Sequence, residues 1–352
     1  MAWRANVGVG FSSFVVAQGR AITTGHSDGQ DTVFCFDAAD GRLLWKHSYP
    51  ADLGDKYFEG GTTGTPTIDG DRVYQLSRWG DLFCLEAATG RLLWSKNIHK
   101  ETGIRIPDWG FSGAPLALDK LLILNVGDGG VALDKGSGKI LWQSADKDAG
   151  YSTPLPVRRG AHTWILLSTK QSYLAVDAAT GKEIWRHRWL TQYGVNAADP
   201  IVQGDLVFIC TGYGKGGALL KIHNSRVEEL WKSKALRTQM NPAVLVGDHL
   251  YGLDGDAGNK ASLKCIEFAT GRQKWDQPDI GTGGLIAAAG RLIVMSSMGE
   301  LIIAPASPDG FKPTARAGVL GGKCWTMPVL ADGRIYCRNA AGDVVCLDVR
   351  KP

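Results

Sequence analysis

The sequence has no long apolar run, no block of like charge and no sustained helical periodicity. Its longest apolar stretches are of strand length, such as residues 164–167, so we expect no membrane-spanning segment. Charged residues make up 21% of the 352 residues and the net charge is +4, without a basic stripe, which excludes the usual electrostatic signature of nucleic-acid binding. Apolar residues nowhere keep a 3.6-residue period, so almost no helix is predicted.

What the sequence does contain is a repeat. An acidic residue is followed by a turn with glycine and, eight residues after the acid, by tryptophan. The five clear copies run from Asp37 to Trp45, Glu86 to Trp94, Asp134 to Trp142, Asp177 to Trp185 and Glu267 to Trp275. A sixth copy, from His223 to Trp231, has Val227 where the others have glycine. A period in this range indicates a repeat architecture.

Two further copies complete the count. Residues 304–311 form a degraded copy without tryptophan, and the last copy is split between Asp348 near one end of the chain and Trp3 near the other. Apolar runs and Gly-containing turns divide each copy into four strands. The sequence therefore predicts an all-β fold, an eight-bladed β-propeller of four-stranded antiparallel blades. We expect a single domain over residues 1–352, closed by strands from both termini, since closure removes an exposed sheet edge. The alternative is a ring of seven blades.

The seven cysteines contain no Cys-x-x-Cys motif, no haem-attachment motif and no adjacent pair. Four of them occupy one repeat position, two residues before the acidic residue, where other copies have alanine. Free cysteine behaves as a small apolar residue, and equivalent positions in different blades are too far apart for a disulfide. We therefore predict buried free thiols at Cys35, Cys84, Cys265 and Cys346.

The pattern acidic-x-x-Thr-Gly-x-x-x-Trp resembles the tryptophan-docking repeat of the PQQ-like propellers. That family includes quinoprotein alcohol dehydrogenases and the outer-membrane assembly lipoprotein BamB, and the resemblance covers essentially the whole chain. It implies packing between blades and does not specify an activity. The quinoprotein enzymes are longer and have an adjacent-cysteine disulfide and a calcium site, neither of which can be matched here residue by residue. We therefore expect no cofactor and no metal.

Strand alternation places every long connection on one side of the predicted propeller. These connections span residues 51–64, 99–113, 146–151, 187–198, 233–240 and 311–325. Loops on a rigid scaffold are where binding residues concentrate, and aromatic rings mixed with polar groups suit ligand recognition. The candidate ligand-binding residues are Arg78, Trp79, Trp109, Tyr151, Tyr193, Asn196, Lys323 and Trp325. We expect those in the long connections to be partly exposed at the mouth of a central channel; the alternative is that they pack the loops on one another.

Three functions remain open on the sequence. The favoured one is a non-catalytic scaffold, similar to BamB, that binds a protein partner or a carbohydrate-like ligand as a monomer. The second is a cofactor-free hydrolase or lyase acting on a carbohydrate-like ligand, for which Glu59, Asp108 and Asp199 are the acid–base candidates, with turn-capping as their alternative role. The third is a PQQ-dependent oxidoreductase. Because Met1 leads directly into the closing strand, we expect either a cytoplasmic protein or an envelope protein after removal of a leader; the resemblance favours the envelope.

Overall fold

The computed structural model describes residues 1–144, 149–256 and 260–350, and these residues form 32 strands and one short helix, α1 (Ile98–Thr102). The first strands are β1 (Trp3–Asn6), then β2 (Val15–Ala17), β3 (Arg20–Ser27), β4 (Gln30–Asp37) and β5 (Leu43–Pro50) of blade 1, and β6 (Thr67–Asp69), β7 (Arg72–Leu76), β8 (Asp81–Glu86) and β9 (Leu92–Asn97) of blade 2. Blade 3 follows with β10 (Leu116–Leu118), β11 (Leu121–Leu124), β12 (Val131–Asp134) and β13 (Ile140–Gln143), and blade 4 with β14 (Leu155–Arg159), β15 (His162–Ser168), β16 (Ser172–Asp177) and β17 (Glu183–Arg188).

The second half of the chain continues in the same way. Blade 5 has β18 (Ile201–Gln203), β19 (Leu206–Thr211), β20 (Gly216–His223) and β21 (Arg226–Ser233), and blade 6 has β22 (Val244–Val246), β23 (His249–Asp254), β24 (Ser262–Glu267) and β25 (Gln273–Gln277). Blade 7 has β26 (Gly284–Ala288), β27 (Arg291–Met295), β28 (Glu300–Pro305) and β29 (Ala315–Gly318), and blade 8 has β30 (Val329–Ala331), β31 (Arg334–Arg338) and β32 (Asp343–Asp348).

Each group of four is a separate antiparallel sheet, and β1 completes blade 8 by pairing with β32. Trp3 lies opposite Cys346 and Asn6 lies opposite Asp343, so one blade contains strands from both ends of the chain. The fold is the predicted eight-bladed β-propeller. The prediction of almost no helix is confirmed for the described residues, where α1 is a single turn capped by the Asn97 side chain.

The chain divides into two compact units, each with its own buried clusters. Unit 1 comprises Met1–Ala149 and Leu320–Pro352 and contains blades 1, 2, 3 and 8. Unit 2 comprises Gly150–Val319 and contains blades 4 to 7. Part of one predicted connection, residues 146–148, lies outside the described residues.

The position shared by cysteine and alanine has a structural explanation in the third and fourth strands of each blade. Cys35 lies directly opposite Trp45, Cys84 opposite Trp94, and a register shift follows each small residue at once. Directly opposed residues point to the same side of a sheet, so a small side chain there leaves room for the indole. The same pairing, with its bulge, occurs at Ala132, Ala175 and Cys265.

Five tryptophans of this pattern dock on the next blade of their own unit through the indole N–H. The Trp45 indole N–H donates to the carbonyl oxygen of Ala87 at 2.9 Å, and the ring covers Gly90. A Cβ added to Gly90 would lie 2.5 Å from the Trp45 ring, and its φ of +72° also disfavours other residues. Two constraints therefore favour glycine at this position of the repeat: the positive φ angle and the close contact with the indole ring. Equivalent N–H bonds come from Trp3 to Ala38, Trp94 to Lys135, Trp231 to Phe268 and Trp275 to Ser307.

Blade 5 departs from this arrangement where Val227 replaces the repeat glycine. Its strands β20 and β21 stay paired as far as His223 and Arg226, leaving a two-residue turn at Asn224, whose φ is +52°. The wider turn that accepts a neighbouring indole N–H is therefore missing. The Trp185 Nε1 is buried without a hydrogen-bond partner among the described residues.

All seven cysteines are free and buried, as predicted for the four in the repeat position. Burial disfavours the thiolate and raises the pKa of Cys35 to about 12. The same cause raises the pKa of Cys265 to about 11. These thiols act as small packing residues.

Replacing Gly90 with alanine tests the docking contact, with Gly70→Ala as a matched control. Both glycines have positive φ, but nothing lies within 4 Å of a Cβ at Gly70. Both variants incur the left-handed backbone cost, and only Gly90→Ala also presses on the Trp45 ring. We expect Gly90→Ala to lose about 1–3 kcal/mol more unfolding free energy than the control, measured by chemical denaturation. Equal losses would contradict the docking role.

Deleting residues 1 to 5 tests closure by the two termini. The deletion removes most of β1 and leaves β32 with an unpaired edge, since Trp3, Arg4 and Ala5 pair with Cys346, Val345 and Val344. We expect a lower melting temperature and aggregation on heating, measured by calorimetry and light scattering. A truncated protein with an unchanged melting temperature would show that this pairing contributes little.

Candidate functional site

A buried arginine organises two of the long connections of unit 1. Arg78 follows Ser77, whose hydroxyl oxygen accepts hydrogen bonds from the backbone N–H groups of Trp79 and Asp81 and so fixes the turn between β7 and β8. The Arg78 side chain is 3% exposed and donates to the carbonyl oxygens of Leu53 at 3.1 Å, Gly61 at 3.2 Å and Trp109 at 3.3 Å. One guanidinium therefore holds the 51–64 and 99–113 connections together.

The same guanidinium lies between aromatic rings. Its central carbon is 5.0 Å from the Phe58 ring centre and 5.1 Å from that of Trp79, distances typical of cation–π contacts. The loops approach this closely because Gly54 and Gly110 face the arginine; a Cβ on either would lie within 2.7 Å of it. Desolvation lowers the pKa of Arg78, and Asp31 and Asp52 partly oppose that shift.

The rings continue from Phe58 toward the 311–325 connection. Phe58 contacts Phe11 at 5.5 Å between ring centres, and Phe11 contacts Trp325 at 5.7 Å. The Lys323 ammonium lies 4.1 Å from the centre of the Trp325 ring and forms an ion pair with Glu59. These contacts connect three separate loop segments of unit 1.

A further ring pair extends the set outward. Tyr57 lies 5.5 Å from Trp109 between ring centres and is 54% exposed. We define the aromatic cluster as six rings with two cations: Phe11, Tyr57, Phe58, Trp79, Trp109 and Trp325, with Arg78 and Lys323. Apart from exposed Tyr57, its rings are half-buried. The structure thus brings together five of the eight candidate residues: Arg78, Trp79, Trp109, Lys323 and Trp325.

Three rings of the cluster, Phe11, Tyr57 and Phe58, were not among the candidate residues predicted from the sequence. Phe11 precedes the inner strand of blade 1, in the sequence Gly10-Phe11-Ser12, just as Trp109 and Trp325 precede the inner strands of theirs. An aromatic residue shortly before an inner strand was the available signal.

The other three candidates lie in unit 2, and one of them is fully buried. Asn196 is 0% exposed, and its amide nitrogen donates to the carbonyl oxygens of Thr169 at 2.8 Å and Trp189 at 3.1 Å. The predicted partial exposure of Asn196 is therefore wrong, because the amide fastens its own connection to the turn before β16. The Asn196 carbonyl oxygen accepts from the backbone N–H of Tyr151, which is half-buried.

Tyr193 is the exposed member of the unit 2 candidates, with 51% of its surface accessible. Its ring meets Tyr213 edge-on at 4.9 Å between centres, and the Tyr213 hydroxyl accepts a hydrogen bond from the Gln239 amide at 2.7 Å. Tyr193 thus meets the expectation of partial exposure, as do Trp109, Tyr151, Lys323 and Trp325. Ligand binding by these residues stays a prediction.

The acid–base candidates differ in their electrostatics. Partial burial alone would raise the pKa of Glu59, but the ion pair with Lys323 outweighs it and the pKa is lowered. Glu59 is therefore ionised at neutral pH and poorly suited to donate a proton. In unit 2, desolvation raises the pKa of Asp199 to about 6, although its carboxylate accepts a 2.7 Å hydrogen bond from the Thr153 N–H. Asp108 is exposed.

The quinoprotein resemblance implies PQQ and calcium, and the residues present do not fit that group. In the described ranges, no three His, Cys, Asp or Glu side chains converge as metal ligands. Each of the seven cysteines is free, so the adjacent-cysteine disulfide of those enzymes has no counterpart.

Among the residues that the structure describes, no helix is long and apolar enough to cross a bilayer.

Comparison with known proteins gives the family. The family model described as outer membrane protein assembly factor BamB matches residues 29–277, well over half of the chain. This chain belongs to the BamB family. No curated protein sequence matches it significantly.

Solved structures share the BamB-type fold over nearly the whole chain. BamB from Moraxella catarrhalis is 19% identical, with a TM-score of 0.70, and the match covers 98% of this chain and 99% of that one. A quinohemoprotein alcohol dehydrogenase from Pseudomonas putida HK5, ADHIIG, is 15% identical, with a TM-score of 0.71, covering 95% of this chain and 70% of that one. The computationally designed Ika8 protein is 12% identical, with a TM-score of 0.67, covering 98% of both chains. Identities this low establish a shared fold and leave the activity to the site residues.

Asp199→Asn tests the electrostatics of the unit 2 carboxylate. Because the folded-state pKa lies above the usual value, ionisation of Asp199 costs folding free energy above about pH 6, and this cost disappears below its ordinary pKa. Asparagine cannot ionise and still offers an oxygen to Thr153. Near pH 8 we expect the unfolding free energy of the variant to exceed that of the wild type by about 1–3 kcal/mol, measured by chemical denaturation. Near pH 3.5 we expect the two unfolding free energies to be equal. A pH-independent difference would contradict the raised pKa.

Proposed function

We propose that this chain is a non-catalytic scaffold of the cell envelope that binds a protein partner through the aromatic cluster of unit 1. The observation that carries the proposal is the cluster itself, with six aromatic rings and the cations Arg78 and Lys323 on five separate connecting segments. The family supports a scaffold role, because its description is that of an outer membrane protein assembly factor. That description also supports the envelope as the compartment.

The cluster has the composition of a binding hot spot. Tryptophan, tyrosine and arginine are over-represented among residues that dominate binding energy, because rigid rings bury a large area at a small cost in side-chain entropy. Tyr57 is 54% exposed and sits at the edge of the cluster, next to half-buried Trp109. A partner that covers these two rings would remove apolar area from water without moving the loops.

The loops are already fixed before a partner arrives. Arg78 makes three hydrogen bonds to loop carbonyl oxygens, and the Trp79 indole N–H donates to the Asp52 carbonyl oxygen at 2.8 Å. A preorganised surface loses little conformational entropy on binding. This preorganisation supports a binding role for the rings.

The hydrolase or lyase alternative has less support in unit 1. A general acid needs a pKa near the working pH, whereas the ion pair with Lys323 lowers the pKa of Glu59. Of the three acid–base candidates, Asp199 in unit 2, with a pKa of about 6, suits such a role best. A reaction with a carbohydrate-like substrate that depends on Asp199 would favour this alternative.

A photocrosslinking amino acid at position 57 tests the scaffold proposal in cells of the native host. The matched control is the same group at Leu92, which is 43% exposed on β9 and lies outside the cluster. We expect a discrete crosslinked protein from position 57 and none from position 92. Its mass spectrum would identify the partner.

The double substitution Trp109→Ala and Trp325→Ala should abolish that crosslink and change the melting temperature little, because both rings are half-buried. Trp45→Ala, which removes a docking contact instead, should destabilise the protein by about 3–5 kcal/mol. If the double variant loses as much stability as Trp45→Ala, the cluster packs loops and the proposal fails.

A further inference from the structure

Two lysines of unit 2 lie on one tryptophan. The Lys215 ammonium is 4.5 Å and the Lys232 ammonium 5.0 Å from the centre of the Trp189 ring. Two like charges repel at such a site, and each is attracted by the electron-rich face of the indole. Lys232 also lowers the pKa of Lys215, after desolvation, which is the larger cause.

The site is held rigidly. Trp189 is 1% exposed, its indole N–H donates to the Thr211 hydroxyl at 2.5 Å, and its backbone N–H donates to the Gln171 carbonyl oxygen. Lys215 lies in the turn between β19 and β20, where Tyr213 and Gly214 both have positive φ. Lys232 extends from β21, opposite Ala218 of β20. The two cations are thus brought together by fixed backbone.

The local charge is not balanced. Neither lysine has a carboxylate oxygen within ion-pair distance among the residues that the structure describes. The nearby carboxylate, Glu229, lies 3.6 Å from the His187 imidazole. Burial lowers the pKa of His187, the two lysines lower it further and Glu229 opposes them. With His187 neutral, two positive charges face one negative charge.

Apolar surface lies on the same connection as Trp189. Leu190 is 41% exposed and Tyr193 is 51% exposed, and Tyr193 contacts Tyr213, two residues before Lys215. A ligand held by the lysines would therefore also meet exposed apolar side chains. This mixture fits a peptide segment better than a small inorganic ion.

We propose that Lys215 and Lys232 form an anion-binding subsite on unit 2 that accepts carboxylate groups of an acidic segment in a partner protein. An incoming carboxylate relieves the repulsion between the ammonium groups and makes charge-assisted hydrogen bonds with them. Glu229 competes with it for the same cations. The inference deepens the proposed scaffold function by naming the chemistry of the partner.

The test is a titration of the purified protein with a glutamate-rich synthetic peptide at low ionic strength, followed by calorimetry. We expect binding that weakens as salt is added, since screening reduces such attractions. Lys215→Gln with Lys232→Gln should weaken it at least about tenfold, whereas arginine at both positions should retain it. Glu229→Gln should strengthen it, because a competing carboxylate is removed.

Lys56→Gln is the matched control, since Lys56 is a single lysine 5.0 Å from the ring centre of exposed Tyr57 in unit 1, and it should leave binding unchanged. As an independent readout, peptide binding should raise the pKa of His187 in NMR titrations. The proposal would be overturned if the peptide does not bind, or if the double glutamine substitution does not weaken its binding. If inorganic phosphate binds at these lysines and the peptide does not, the proposal is wrong and the lysines form a phosphate site.

The outcome is separable from that of the scaffold proposal. Trp109→Ala with Trp325→Ala should leave peptide binding intact, because both residues belong to unit 1. Both proposals are supported if the double alanine variant loses the crosslink from position 57 and still binds the peptide. A Tyr57 crosslink that never forms would defeat the aromatic cluster as a docking surface and leave the lysine subsite standing on its own titration.

Discussion

The architecture depends on the contact between an indole and a glycine of the next blade. Each blade is a small sheet that cannot bury its own flat sides, so neighbouring blades must supply the core. The docked tryptophan provides apolar area and a directional N–H bond at once, as Trp45 does over Gly90 and toward Ala87. Its own blade accommodates the ring by placing a small residue, Cys35, directly across the strand pair. One residue type thus sets requirements at three other positions of the repeat.

Most of the fold could be predicted because these requirements leave marks at fixed spacing. The split copy at Trp3 and Asp348 indicated shared closure, and the pairing of Trp3 with Cys346 confirms it. The alternation of cysteine and alanine indicated a small buried position, and the structure adds the reason, an indole opposite it. The replacement of glycine by Val227 could be seen in the sequence. Its consequence, an unpaired Trp185 N–H, could not, because it depends on the shape of the turn in blade 5.

The candidate site was predictable only in outline. Loop position and residue type selected Arg78, Trp109 and Trp325 as ligand-binding candidates, and in the structure all three belong to the aromatic cluster. They could not show that Arg78 is buried and serves as a hub, because this depends on carbonyl groups from distant loops turning toward it. The predicted exposure of Asn196 was wrong for a related reason. An amide in a polar loop can bind a ligand or a neighbouring backbone equally well, and here it binds backbone carbonyl oxygens. Lys215 and Lys232 are 17 positions apart, and only the hairpin of blade 5 brings them to one ring.

The cysteine positions have a consequence for how the chain matures. In the folded protein burial keeps these sulfurs as thiols, with the pKa of Cys35 near 12, and thiol exchange requires the thiolate. In the unfolded chain the same sulfurs have ordinary acidity and free access to one another, and no pairing among them is native. If the protein matures in an oxidising compartment, folding must outpace oxidation, since a disulfide formed early among the four cysteines of the repeat position would join two different blades. Packing a sulfur opposite an indole is thus also what protects the finished propeller from redox chemistry.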